Sequence, residues 1–141
     1  MKEHLHGDED EDGFSVSRIP TKRALWEAGT HFVRDENGAL FASNRAKPYV
    51  PPTSDPSAVD PTRPPPRTVL FFIRHFWCGQ CQDYMFASVS QLDPEVLAKD
   101  NIRVVIISNG SWKLIKAYRK LTKCSFPVYV DGPRKLYGLM G

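Results

Sequence analysis

The strongest constraint on this chain is a change of hydrophobic period at Cys78. Upstream, Thr68-Val69-Leu70-Phe71-Phe72-Ile73 is a continuous apolar run, the pattern of a strand covered on both faces. Downstream, Cys81, Met85, Val89 and Leu92 recur every three or four residues, as on one face of a helix. Trp77-Cys78-Gly79-Gln80-Cys81 stands at the junction, so two thiols fall where a strand turns into a helix. Cysteines two residues apart close a small disulfide ring without large backbone movement. The first lies where a helix leaves N–H groups unpaired and its dipole is positive, which favours thiolate over thiol. The second is one turn further in and more sheltered, suited to attack a mixed disulfide formed on the first.

The rest of the chain alternates in the same manner. Asp93-Pro94 reads as a helix restart, with Asp93 as N-cap and Pro94 at the first helical position. Ile102 to Ser108 is a second buried strand, and Phe126 to Asp131 a third, shorter one. Between them Trp112, Ile115, Tyr118 and Leu121 share one side of a helix whose other side carries Lys113, Lys116, Lys120 and Lys123. Lys135 to Met140 starts one more helix. Strands and helices at this spacing predict an α/β fold, a parallel sheet of three strands with flanking helices and right-handed crossovers.

Three segments precede this unit at 68–141. Residues 1–17 open with one lysine against six acidic groups in the first twelve positions, a −5 run that cannot bury enough apolar surface to order itself. Residues 18–47 hold a short helical signal at Ala24 to Ala28, which Gly29 is expected to stop, and a hairpin. Its arms are His31 to Arg34 and Ala39 to Phe41, around Asp35-Glu36-Asn37-Gly38. Residues 48–67 carry eight of the twelve prolines and read as an extended linker or loop. The whole chain is at +3, so residues outside the acidic run are at +8. That excess is spread out and reads as solvated surface, with no nucleic-acid partner expected. No apolar stretch resembles a signal or a membrane span, so a cytoplasmic protein without a membrane partner is expected. Thiols in that setting stay reduced unless they are catalytic or redox-sensing.

Two plainer readings compete for Cys78 and Cys81, half of a zinc site and a structural pair. A closed zinc site needs four ligands, and no second Cys-x-x-Cys or spaced His pair follows. An odd count of three cysteines argues against a disulfide framework. The redox reading is therefore preferred, with no metal and no cofactor. Cys124 reads as a small buried apolar residue. Arg74 and His75 add positive potential beside the pair, although strand alternation sends them to opposite faces.

Phe72-Ile73-Arg74-His75-Phe76-Trp77-Cys78-Gly79-Gln80-Cys81, Val104-Val105-Ile106 and the stretch Pro127 to Tyr137 together resemble the AhpC/TSA antioxidant-enzyme group, on its peroxiredoxin-like 2 branch. Val33 to Gly38 is similar to the hairpin preceding the redox strand there. The resemblance implies a thioredoxin-like fold and thiol-dependent reduction of peroxides, endoperoxides or disulfides. Cys78 would be the nucleophile and Cys81 the resolving thiol, with Trp77, Arg74 and His75 in support. A thioredoxin-like or glutathione-type thiol would supply electrons. Phe71 and His75 stand where ordinary peroxiredoxins carry proline and threonine, which moves the chemistry toward dithiol exchange. The family fold continues past the position of Gly141 with a strand pair and a helix. The expectation is therefore a domain incomplete at its C-terminus, with the strand at 68–76 left as an exposed edge.

Overall fold

The computed structural model describes residues 19–45 and 67–140. The acidic run at 1–17 and the proline-rich segment at 48–66 lie outside the described residues. Helix α1 spans Lys22–Thr30, with the Thr21 hydroxyl accepting the Ala24 N–H at its start. Gly29 does not stop it, contrary to the sequence reading. The helix ends one residue later, where His31 turns extended and the Thr30 hydroxyl bonds back to the Glu27 carbonyl. A glycine in a last turn weakens a helix without ending it.

Strands β1 (Phe32–Arg34) and β2 (Leu40–Ala42) form the expected antiparallel hairpin. Its turn is tied by the Asp35 carboxylate, which accepts the Asn37 and Ala39 N–H groups at 2.9 Å each. Gly38 takes φ +82°, and a Cβ there would stand 2.9 Å from the Trp112 ring. Both facts call for glycine.

Strands β3 (Arg67–Phe72), β4 (Ile102–Ser108) and β5 (Val128–Val130) are parallel, in the order β5-β4-β3. The hairpin is not a separate preface to them. Arg34 pairs antiparallel with Val130, giving one mixed sheet ordered β2-β1-β5-β4-β3. Helices α2 (Gly79–Ala87), α3 (Pro94–Lys99), α4 (Ile115–Thr122) and α5 (Lys135–Met140) follow the strands. Asp93 caps α3 through its carboxylate, which accepts from Glu95 and Val96.

Alternation along β4 supplies two cores, one on each face of the sheet. Val104 and Ile106 pack with Met85 of α2 and with Ile115 and Tyr118 of α4. Val105 and Ile107 pack with Ala28 of α1, Val33 of β1 and Leu136 of α5.

Two burial expectations are corrected. The run at 68–73 is not covered on both faces, since Val69 and Leu70 are 40% and 45% exposed. β3 is the edge of the sheet, and Leu70 and Phe72 look into an apolar groove shared with Leu25, Leu136 and Met140. Leu121 is 55% exposed rather than packed, and Thr122 takes its place in the core. A 3-10 turn at Trp112–Leu114 precedes α4, and at 3.6 residues per turn the face of Ile115 and Tyr118 returns at Thr122, whereas a spacing of three carries Leu121 off it. No helix among the described residues is long and apolar enough to cross a membrane.

Candidate functional site

The loop Ile73 to Trp77 carries the chain from the end of β3 into α2. Ile73 and Phe76 are buried in the first core and anchor it, while Arg74 and Trp77 face outward. The ladder's last bond here runs from the Ile73 N–H to the Ile107 carbonyl, 2.9 Å. The Gln82 side-chain amide donates to the Phe76 carbonyl at 2.9 Å and the Cys78 N–H to the His75 carbonyl at 3.2 Å, closing the loop as a tight turn.

Cys78 is the N-cap of α2, in an extended conformation, and Cys81 lies in the first turn. Both are free thiols and partly exposed. The Cys78 thiol is lowered from its ordinary value. The Cys81 backbone N–H contributes most, followed by a hydrogen bond from the Cys81 thiol, with the Arg74 charge and the Gln80 N–H adding smaller shares against partial desolvation. This is the helix N-terminus acting on a cap sulfur. Cys81 moves the opposite way, raised chiefly by burial and also by the neighbouring Cys78 sulfur. The Arg74 N–H, 3.3 Å from Cys81 Sγ, works against that rise. The two thiols are thus driven apart in acidity, one toward thiolate and one toward neutral thiol.

The supporting residues divide. Arg74 acts on Cys78 through its charge and on Cys81 through its backbone. Trp77, 78% exposed, is a flat apolar surface beside Cys78. His75 contributes its backbone, whose N–H faces Cys81 and whose carbonyl holds Cys78. Its ring Nδ1 is buried with no hydrogen-bond partner among the described residues. Arg74 and His75 are not placed on opposite faces by strand alternation, because β3 ends at Phe72, before either of them. Cys124 is buried in the first core and its thiol is raised by that burial. Among the described residues no three His, Cys, Asp or Glu side chains are grouped to hold a metal ion.

Two tyrosines at the site escaped the sequence reading. Tyr118 packs its ring 4.9 Å from Phe76, and burial with the nearby cysteine sulfurs pushes its hydroxyl up to about 12. Its helical spacing marked it only as a core residue. Tyr137 of α5 donates its hydroxyl to the Ile73 carbonyl at 2.6 Å and also approaches the Ile107 carbonyl at 3.1 Å. No pattern in the sequence links position 137 to the end of β3.

The family model of AhpC/TSA antioxidant enzymes matches residues 89–141, a span that begins after the cysteine pair. Mouse and human Peroxiredoxin-like 2C are each 32% identical to this chain over 75 residues, 53% of this chain and 33% of the relative. The match therefore spans about a third of the length of these relatives. Among solved structures, a secreted Mycobacterium tuberculosis disulfide oxidoreductase homologous to E. coli DsbE aligns with a TM-score of 0.51 at 14% identity. That alignment covers 80% of this chain and 69% of that one. MTB dsbF aligns with a TM-score of 0.50 at 14% identity, covering 86% and 72%. At that identity the likeness is one of fold, and the fold is thioredoxin-like.

Proposed function

We propose that this chain, a relative of the AhpC/TSA antioxidant enzymes on their peroxiredoxin-like 2 branch, is a thiol–disulfide oxidoreductase working through Cys78 and Cys81. The observation that carries the reading is the seat of the two sulfurs at the start of α2, Cys78 as its N-cap and Cys81 in the first turn with the Arg74 N–H 3.3 Å from its Sγ, an arrangement that lowers Cys78 and leaves Cys81 raised by burial. A nucleophile needs to be thiolate at working pH, and a resolving thiol is best held neutral until the first step is over.

With a disulfide substrate, the Cys78 thiolate attacks one sulfur, forming a mixed disulfide and releasing the other sulfur as a thiolate that takes a proton from water. Cys81 then gives up its proton, attacks the Cys78 sulfur, closes the Cys78–Cys81 disulfide and releases the second substrate thiolate. Two electrons have passed to the substrate, and two equivalents of an external thiol return them. With a peroxide, the Cys78 thiolate attacks the distal oxygen, the O–O bond breaks, and a sulfenic acid forms while the leaving alkoxide takes a proton from water and departs as an alcohol. Cys81 condenses with that sulfenic acid to give the disulfide and water. Dithiol exchange is favoured over peroxide reduction because Phe71 and His75 replace the proline and threonine that flank a peroxiredoxin nucleophile. A thioredoxin-like or glutathione-type donor in a reducing, cytoplasmic compartment fits this chemistry.

The test is trapping. Cys81→Ser should accumulate a mixed disulfide with a substrate or reductant, seen as a mass adduct after acid quench, and Cys78→Ser should trap nothing. Absence of any adduct from folded Cys81→Ser, with all three cysteines alkylated equally in the parent, would replace the enzyme by a non-catalytic redox-responsive or binding module.

A further inference from the structure

The peptide between Ile73 and Arg74 is engaged on both of its edges. Its carbonyl accepts the Tyr137 hydroxyl at 2.6 Å. Its N–H donates to Cys81 Sγ at 3.3 Å. In a trans peptide the two groups point in opposite directions within the peptide plane, so Tyr137 and Cys81 sit at opposite edges of one peptide. A hydrogen bond received at a peptide oxygen draws charge from its nitrogen and makes the N–H a stronger donor.

The donor at the far end of this relay is itself well held. Tyr137 is the third residue of α5, and the Asp131 carboxylate secures the start of that helix by accepting the Leu136 N–H at 2.6 Å. The Tyr137 ring meets Phe72 edge to face, with centroids 5.2 Å apart. Burial, with the charges of Asp131 and Cys81, raises the Tyr137 hydroxyl, so it keeps its proton across the range in which thiols titrate. The same hydroxyl lies 3.1 Å from the Ile107 carbonyl, which receives the Ile73 N–H. Ile73 is therefore fixed on both sides at the point where the strand gives way to the redox loop.

We propose that Tyr137 is a positioning residue for Cys81: through the Ile73–Arg74 peptide its hydroxyl holds and polarises the N–H aimed at Cys81 Sγ, and so favours the thiolate of the resolving cysteine. The consequence for turnover rests on the dithiol-exchange reading, whereas the coupling between Tyr137 and Cys81 does not. Burial makes Cys81 a reluctant nucleophile. A pre-aimed N–H lowers the cost of ionising it at the moment of resolution.

The experiment uses the full chain carrying Cys78→Ser and Cys124→Ser, so that Cys81 is the only thiol, and follows its alkylation rate against pH. Adding Tyr137→Phe should move the profile to higher pH and slow labelling at neutral pH by roughly two- to fivefold. Phe72→Leu, which removes the ring contact and leaves the hydroxyl, should lower the unfolding midpoint without moving the profile. A 3-fluorotyrosine at position 137, a more acidic phenol and stronger donor, should move the profile to lower pH. An unchanged profile in folded Tyr137→Phe overturns the inference. If that variant does not fold, an unchanged profile with 3-fluorotyrosine overturns it. A shifted profile in a chain that fails the Cys81→Ser trap would support the coupling and remove the oxidoreductase role.

Discussion

Three cysteines in one small fold are given three environments, and the differences are electrostatic. Cys78 is lowered by N–H groups of the first turn of α2, whereas Cys81 and Cys124 are raised mainly by burial. Alkylation at mildly acidic pH should therefore label Cys78 well before the other two, as mass spectrometry of quenched time points would show. The same shifts couple to stability with opposite signs. The folded state favours the Cys78 thiolate, so that contribution is present above the ordinary thiol range and lost as pH falls through the lowered value. It favours the neutral Cys124 thiol, so that contribution is present below the ordinary range and lost as pH rises through the raised value. Cys124→Ala is expected to cost about 1 kcal/mol at pH 7, from lost packing. It should also shrink the drop in stability between pH 7 and pH 10, measured by urea unfolding at each pH.

At the scale of elements, turn and cap chemistry acts locally and edges act between molecules. Gly38 combines a positive φ with the close approach of Trp112, so Gly38→Ala should destabilise by about 1–3 kcal/mol. A thermal midpoint unchanged by that substitution would mean that the hairpin turn does not dock on Trp112. Strand β3 presents an apolar outer edge, with no charged side chain between Arg67 and Arg74. Such an edge pairs readily with another copy. Leu70→Lys, at a position 45% exposed, should reduce self-association without loss of fold. Sedimentation over a concentration series checks this, and equal association of parent and variant would mean that the edge is not the contact.

At the scale of the whole molecule, the hairpin and the parallel unit are one body. β1 pairs with β5, Val33 is fully buried in the second core, and Arg119 of α4 donates to Glu36 of the hairpin turn at 2.9 Å. Val33→Ala, far from the cysteine pair in sequence, should therefore cost about 2 kcal/mol and shift the unfolding of the entire fold. Fluorescence from Trp26, Trp77 and Trp112 and far-UV circular dichroism should move together to the lower midpoint. Separate transitions by the two probes would mean that the hairpin unfolds on its own.

Most of what depends on neighbours along the chain was readable from the sequence, the end of α1 beyond Gly29 and the exchange of Leu121 for Thr122 on α4 excepted. The N-cap at Asp93, the hairpin turn at Asp35 to Gly38, the limits of β4, the start of α5, and the seat of Cys78 at a helix start all follow from local geometry and hydrophobic period. Two features depended on partners remote in sequence, and only the tertiary structure decided them. The resemblance already implied an edge strand at 68–76, but an apolar run reads alike in an inner and an edge strand, so how far Val69 and Leu70 are uncovered followed from the order of the sheet. The hydroxyl of Tyr137 reaches the Ile73 peptide across 64 residues because α5 packs on the sheet face beside the end of β3. A hydrogen bond at that separation leaves no periodicity in the chain, since its only cause is the packing that brings the two ends together.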